Sequence, residues 1–253
     1  MKKILLDISF LGTAYCGYQV QPNAPSIQQQ LNIAVKSLFG VDCDIIGCSR
    51  TDSGVHANQF CATVSEKGKN GIITSIPMEK IPQAISFYLP NDISVQKAEW
   101  VEGNFHPRYD VKYKEYLYKI WNEKSRNPFE HDRSWHYPRY IDDMALENMR
   151  EAALRLIGTH NFSSYMAANS SVKSTVRTIY HTDLYRDGNM ICFKISGDGF
   201  LYNMVRIIMG TLIAVAEGKF VPSDIDKITE SHDRTKAGIT VPPHGLYLNK
   251  VVY

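Results

Sequence analysis

The chain has 253 residues, with 28 basic and 26 acidic side chains and a formal charge of +2; this excludes a tail that binds its partner through charge alone. Hydrophobic residues make up 44%, enough for a sizeable core, which excludes a disordered protein. No apolar run approaches the roughly 20 residues that a membrane span requires, and Asp7 interrupts the first apolar stretch before a signal-peptide core could form. We therefore expect a cytoplasmic protein that does not bind a membrane.

The five cysteines are scattered, odd in number and without a Cys-x-x-Cys pair. This pattern is typical of reduced thiols in a cytoplasmic protein. No clustered Cys or His ligands complete a zinc set. We therefore predict no metal site.

The first half of the chain alternates strand and helix patterns. Apolar residues alternate from Ile4 to Phe10, as in a half-buried strand. Ser26 is followed by a helical apolar period that ends at Gly40, with Gln29 completing a capping-box signature. Further on, the patterns predict strands over 44–47 and 59–65, a helix over 78–89 that ends near Pro90, and strands over 92–101 and 111–121.

The second half repeats a similar order after a polar segment, 122–138, which we interpret as a linker. The patterns predict a helix over 141–157, strands over 174–185 and 190–196 joined across Asp187 and Gly188, helices over 201–217 and 223–231, and a closing strand over 245–253. This alternation predicts an α+β protein, in which two similar halves share a mostly antiparallel sheet with helices on one face.

The polar segment from Ser49 to His56 lies between two apolar, strand-like stretches, a position where loops often hold reactive groups. In an extended chain, residues two apart point to the same side, so Arg50 and Asp52 can share a face. A neighbouring guanidinium favours the ionised carboxylate, the form that a nucleophile requires. From residue chemistry alone, a turn with an Arg–Asp ion pair is the more ordinary interpretation.

This segment, Ser-Arg-Thr-Asp-Ser-Gly-Val-His, resembles the Gly-Arg-Thr-Asp-Ala/Ser-Gly-Val-His signature of the TruA-type tRNA pseudouridine synthases, from which it departs at Ser49. Six further segments resemble family blocks in family order and extend the resemblance over essentially the whole chain: 17–22, 105–109, 114–118, 158–162, 199–206 and 245–248. The resemblance implies the pseudouridine synthase fold, with two ferredoxin-like, RRM-like halves. These would be residues 1–121, with the catalytic Asp, and residues 139–253, with the active-site cleft between them.

The resemblance also implies the reaction and its residues. The family isomerises uridine to pseudouridine at positions 38, 39 and 40 in the anticodon stem-loop of tRNA, as a homodimer and without metal or organic cofactor. Asp52 matches the essential carboxylate; attack at C1′, attack at C6 and an initial role as a base all stay open. Tyr116 matches the pocket tyrosine that can stack on uracil, and Arg50 is a candidate to fill the gap left by the flipped nucleotide.

Arg206 resembles a second active-site arginine, for which we hypothesise a pairing with Asp52 because a charge in an apolar helix is costly unless paired. Val241 and Leu246, next to Gly245, match a segment that lines the pocket. Each residue also has an ordinary interpretation. Tyr116 could be a strand aromatic, Arg206 could pair with another carboxylate, and Val241 and Leu246 could be simple core.

Basic residues cluster at Arg108, Lys112 and Lys114, interleaved with Tyr109, Tyr113 and Tyr116. A solvated face is the usual interpretation of such a cluster, and an RNA track is the functional one. Two other function classes remain: a catalytically silent RNA-binding protein of the same fold, against which the intact Arg50-Thr51-Asp52 argues, and a hydrolase of N-glycosidic bonds that releases free uracil.

Overall fold

The computed structural model describes residues 1–22, 24–168 and 172–253. These residues form two compact units. The first unit comprises residues 1–112 and 247–253, and the second comprises residues 113–246. The chain therefore returns to its first unit at the end. The predicted division into residues 1–121 and 139–253 stays a prediction.

The first unit has the element order β-α-β-β-α-β. Its elements are β1 (Lys2–Phe10), α1 (Ile27–Phe39), β2 (Cys43–Gly47), β3 (His56–Glu66), α2 (Ile81–Ser86) and β4 (Ile93–Glu102). The strands lie in the order β4-β1-β3-β2, each antiparallel to its neighbour. The final strand, β10 (Leu246–Val252), adds a short parallel pairing of Tyr247 and Leu248 with the start of β3.

Local sequence signals account for the first strand and helix. Ile4, Leu6, Ile8 and Phe10 are at most 3% exposed, as the alternation predicts for one face of a strand. The Ser26 hydroxyl accepts a hydrogen bond from the backbone N–H of Gln29 at the start of α1. Gly40 ends the helix in the left-handed region, with φ of 70°. The predicted bounds of α1 are thus confirmed.

The second helix is shorter than the predicted span over 78–89. A turn of 3-10 helix precedes it, and α2 ends at Ser86. The N–H groups of Tyr88 and Leu89 donate to carbonyls three residues back, Ile85 and Ser86. The last turn is therefore wound more tightly than an α-helix before Pro90, whose ring disfavours helical geometry at the residue before it.

The second unit also combines antiparallel strands with helices. Its elements are β5 (Tyr113–Trp121), β6 (Trp135–His136), α3 (Asp143–Leu154), β7 (Gly158–Asn161), β8 (Val176–Asp187), β9 (Met190–Gly197), α4 (Met204–Ala216) and α5 (Asp224–Ser231), and β10 begins at its end. The strands lie in the order β5-β9-β8-β7. Asp187 pairs with Met190, so the hairpin turn consists of Gly188 and Asn189, one residue later than predicted.

The segment 122–138, predicted as a linker, is folded into the second unit. The Asn122 side chain is fully buried, donates to the carbonyls of Tyr137 and Arg139, and accepts from the N–H of Ile141. The short strand β6 pairs in parallel with β5. A polar residue can thus organise a buried turn when all its hydrogen bonds are made. The polar composition of the segment alone did not indicate this role.

The predicted α+β class, with a mostly antiparallel sheet, is confirmed. Within the described ranges, no helix is both long and apolar enough to cross a bilayer.

Candidate active site

In the first unit, Asp52 lies in the loop between β2 and β3. The backbone N–H of Cys48 donates to the carbonyl of Cys61 at 2.8 Å, so the strand pairing continues one residue past β2. The Asp52 carbonyl then accepts from the N–H of Val55 at 3.2 Å, and Gly54 between them has φ of 78°. Asp52 thus begins a tight turn that needs glycine at its third position. Its side chain is half-buried, whereas that of Arg50 is exposed.

The loop after β1 packs directly on this turn. Gly17, with φ of 85°, approaches so closely that a Cβ there would lie 2.3 Å from the carbonyl oxygen of Thr51. A Cβ at Gly12 would lie 2.0 Å from the carbonyl oxygen of Val55. Both glycines therefore allow a backbone-to-backbone contact that any side chain would prevent. The Asp52 turn therefore packs directly against the main chain of the loop after β1.

His56 fixes the far end of the same loop. Its side chain is fully buried, and its Nδ1 accepts the N–H of Gly12 at 2.9 Å. The ring lies 4.7 Å from the ring of Tyr247 in β10. Because Nδ1 is an acceptor, a neutral ring carries its proton on Nε2. His56 therefore has a structural role in positioning the loop.

In the second unit, Arg206 lies in the first turn of α4 and is half-buried. Its Nε donates to the carbonyl oxygen of Val241 at 2.8 Å, and its Nη1 donates to Oδ1 of Asn203 at 2.7 Å. Asn203 precedes the helix in the left-handed region, with φ of 59°, a conformation that Asn tolerates better than most residues. Two hydrogen bonds therefore fix the plane of the guanidinium.

The segment 238–241 lies against α4 because two glycines permit it. A Cβ at Gly210 would lie 1.9 Å from the carbonyl oxygen of Ile239, and a Cβ at Gly238 would lie 2.4 Å from the backbone of Gly210. The N–H of Gly238 donates to the Thr211 hydroxyl at 2.9 Å. This contact places the carbonyl of the buried Val241 where Arg206 can reach it.

Tyr116 and Tyr118 lie two apart on β5 and so share one face of the strand. The Tyr116 ring meets the ring of Phe200 edge-on at 4.9 Å. The Tyr118 hydroxyl donates to the carbonyl of Pro242 at 2.7 Å. Burial raises the pKa of Tyr118, and the positive charge of Arg206 lowers it by a smaller amount. Tyr118 thus stays a neutral hydrogen-bond donor.

Gly245 and Leu246 complete this region of the second unit. A Cβ at Gly245 would lie 2.7 Å from the Tyr118 ring, so only glycine fits. Leu246 follows as a buried residue at the start of β10.

Four predicted residues, Tyr116, Arg206, Val241 and Leu246, therefore belong to the second unit, and Arg50 and Asp52 belong to the first. A fixed guanidinium, an aromatic ring and apolar side chains can together bind a planar base that carries polar groups. A carboxylate side chain, which Asp52 provides, acts as a nucleophile or a base in its ionised form.

The sequence interpretation did not single out Asn203 or Phe200. One signal for Asn203 was available, because an Asn directly before an apolar helix and three residues before an Arg is placed to contact that Arg. The edge contact of Phe200 with Tyr116 joins a loop to a strand about 80 residues earlier, and no local pattern predicts it. Within residues 1–22, 24–168 and 172–253, no three His, Cys, Asp or Glu side chains come together as a metal site would require.

Comparison with known proteins identifies the family. A sequence profile described as tRNA pseudouridine synthase matches residues 152–253. The chain is 44% identical to a tRNA pseudouridine synthase A from Thermoanaerobacter sp. strain X514 over 255 aligned residues, with 100% of both chains covered. It is 43% identical to that of Clostridium acetobutylicum and 41% identical to that of Acetivibrio thermocellus, again with 100% of each chain covered. The chain therefore belongs to the tRNA pseudouridine synthase family, and it is an isomerase that converts uridine to pseudouridine in tRNA.

Proposed function

We propose that the enzyme acts on uridines 38, 39 and 40 in the anticodon stem-loop of tRNA, with Asp52 as the nucleophile and with the target nucleotide flipped out of the helix. The target positions follow from the family resemblance, and the observation that supports Asp52 as the nucleophile is the close backbone approach of Gly12 and Gly17 to the Asp52 turn. Tight backbone packing of this kind restricts how far the carboxylate can move, and holding the reacting group in place is a large part of catalysis.

The reaction is an isomerisation, so every bond lost is replaced. The Asp52 carboxylate forms a bond to the nucleotide as the bond between C1′ and N1 breaks, and the detached uracil turns. The bond to Asp52 breaks again when a bond forms between C1′ and C5. The C5 proton leaves and N1 gains a proton. The base must be retained while it turns. We assign this role to the Tyr116 ring, the Arg206 guanidinium and the apolar side chains of Val241 and Leu246.

Arg50 has a different role in the proposal. Flipping a nucleotide out of a stem costs a few kcal/mol because stacking is lost. The exposed guanidinium of Arg50, two residues before Asp52, is suited to stack in the gap or to bind a backbone phosphate. We further propose that the enzyme works in the cytoplasm as a homodimer.

Tritium release tests the proposal. Pseudouridine formation expels the C5 hydrogen, so tRNA transcribed with 5-tritiated uridine releases label without added cofactor. We expect the wild type to release it and Asp52→Ala to lose at least about 10⁴-fold in rate, which corresponds to about 5.4 kcal/mol of transition-state stabilisation. Asp143→Ala is a matched control, because Asp143 is an exposed carboxylate in the first turn of α3. It should retain wild-type activity.

Product analysis separates the competing functions. Chemical mapping of pseudouridine should place the product at positions 38 to 40. Activity of Asp52→Ala above one ten-thousandth of wild type would refute the role of Asp52. Pseudouridine mapped only to positions outside 38–40 would refute the anticodon site. Free uracil in the product would indicate a glycosidic hydrolase. Binding without release by any variant would indicate a silent RNA-binding protein.

A further inference from the structure

The loop between β4 and β5 presents a stacked pair of rings at the surface of the first unit. The rings of His106 and Tyr109 lie 4.2 Å apart with an angle of 25° between their planes. His106 is half-buried, whereas Tyr109 is 76% exposed. One face of the Tyr109 ring is thus covered by His106 and the other faces solvent. We call this pair the His106–Tyr109 platform.

Hydrogen bonds around His106 fix the platform before any ligand binds. The carbonyl of His106 accepts from the N–H groups of Tyr109 and Asp110, both at 3.1 Å. Its own N–H donates to a carboxylate oxygen of Asp110 at 2.8 Å, and its Nδ1 accepts from the N–H of Arg108 at 3.2 Å. A ligand on the platform would therefore order little of the loop, so little entropy would be lost on binding.

Tyr253, which follows β10, anchors the loop to the unit. The Tyr253 hydroxyl donates to the carbonyl of Pro107 at 2.8 Å, and its ring contacts the ring of Phe105 at 5.0 Å. The side chain of Lys112 donates to the carbonyl of Tyr253 at 2.9 Å. The loop thus contacts Tyr253 at three points.

Charge next to the platform favours an anionic ligand. Arg108 precedes Tyr109 and is exposed, as is Lys112, and Asp110 is engaged by the His106 N–H. One exposed aromatic ring needs no explanation, but a rigid ring with one open face beside an arginine matches an unpaired base and its phosphate. The exposed pair Phe87 and Tyr88 in the same unit lacks this geometry, because its rings meet at 88°.

We propose that the His106–Tyr109 platform binds an unpaired nucleobase of the tRNA, which stacks on the open face of Tyr109 while Arg108 meets the adjoining phosphate. The proposal rests on tRNA as the substrate and is independent of the role of Asp52. Unpaired bases in RNA loops offer a free face, whereas a base inside a stem does not.

Binding measurements on full-length variants test the platform. Dissociation constants for an unmodified tRNA transcript are measured by filter binding for wild type, Tyr109→Ala, Tyr109→Phe and Phe87→Ala. Stacking on an aromatic ring is lost only in Tyr109→Ala, which should bind roughly 5- to 150-fold more weakly. Tyr109→Phe and the control Phe87→Ala should bind like wild type, with unchanged melting temperatures.

Salt dependence separates stacking from charge. Tyr109→Ala should weaken binding at every salt concentration with an unchanged slope of log affinity against log salt. Arg108→Gln should reduce that slope by about 1, as expected for one phosphate contact. In tritium release, the loss in Tyr109→Ala should appear in KM for tRNA more than in kcat. Asp52→Ala should bind tRNA normally yet release none, so failure of either proposal is distinguishable from failure of the other.

Three results would overturn the platform. The first is wild-type affinity in Tyr109→Ala. The second is an equal loss in Tyr109→Phe, which would assign the effect to the hydroxyl instead of the ring face. The third is a loss of affinity in Tyr109→Ala that is accompanied by a change of oligomeric state in light scattering, which would make the surface a contact between protein chains.

Discussion

Replacing Gly210 with alanine should displace the segment that positions Arg206. The added Cβ would lie 1.9 Å from the carbonyl oxygen of Ile239, whereas ordinary contacts begin at 3.4 Å. The segment would have to move by about 1.5 Å, the difference between those two distances. Such a movement would break the bond from Gly238 to Thr211, now 2.9 Å, and the bond from Arg206 to Val241, now 2.8 Å.

The expected free-energy change follows from three contributions. Overpacking costs about 1–3 kcal/mol, and each lost hydrogen bond costs about 1 kcal/mol. Alanine is a better helix former than glycine by about 1 kcal/mol. The net loss in Gly210→Ala is therefore about 2–4 kcal/mol, which corresponds to a melting temperature lower by roughly 4–8 °C in a chain of this size.

Thermal unfolding followed by circular dichroism measures this loss, and tritium release at a permissive temperature measures activity. Asn32→Ala, at an exposed position of α1, is the control, because it gains helix propensity of about 0.5 kcal/mol without a new contact. The reasoning would be refuted if Gly210→Ala melted at or above the wild-type temperature, since helix propensity would then outweigh the contact.

Two further changes probe the first unit. Gly17→Ala introduces a Cβ 2.3 Å from the carbonyl oxygen of Thr51 at a φ of 85°. The Asp52 turn should therefore shift, and the rate of tritium release should fall at least about tenfold. A rate within twofold of wild type would contradict the proposed backbone support. Burial is the main cause of the raised pKa of Asp7, which is opposed by a hydrogen bond from Gln59. A raised carboxyl pKa means that the folded state favours the neutral acid, so Asp7→Asn should stabilise the protein at neutral pH. The gain in stability should shrink as the pH falls through the raised pKa of the folded state, and it should vanish below 3.8, the ordinary pKa of an Asp carboxyl. Urea unfolding at several pH values measures the difference in free energy of unfolding between Asp7→Asn and the wild type. If this difference did not depend on pH, ionisation of Asp7 would not be its cause.

Several elements could be predicted from the sequence because their signals are local. The cap at Ser26 and the left-handed stop at Gly40 are backbone preferences of single residues. The alternation from Ile4 to Phe10 reflects the period of a strand. These signals depend on neighbours within a few residues, so α1 and β1 form as predicted.

Other elements depended on distant partners. Asn122 in a polar segment looked like part of a linker, yet its buried amide organises a turn in the second unit. The strand β6 is only two residues long, too short to show a period of its own, and it exists because β5 provides hydrogen bonds. No hydrophobic pattern can indicate a strand of that length.

For the candidate site, the sequence by itself determined which residues are the candidates. The segment around Asp52 and the segments that include Tyr116 and Arg206 resemble blocks of one family and occur in the same order. Only the tertiary structure decided how they are supported. Gly17 meets Thr51, and Gly210 meets Ile239, through backbone contacts between residues about 30 positions apart. Nothing in either local sequence predicts such a contact, because a glycine shows only that a close approach is allowed, and the packing of the whole unit decides which backbone makes it.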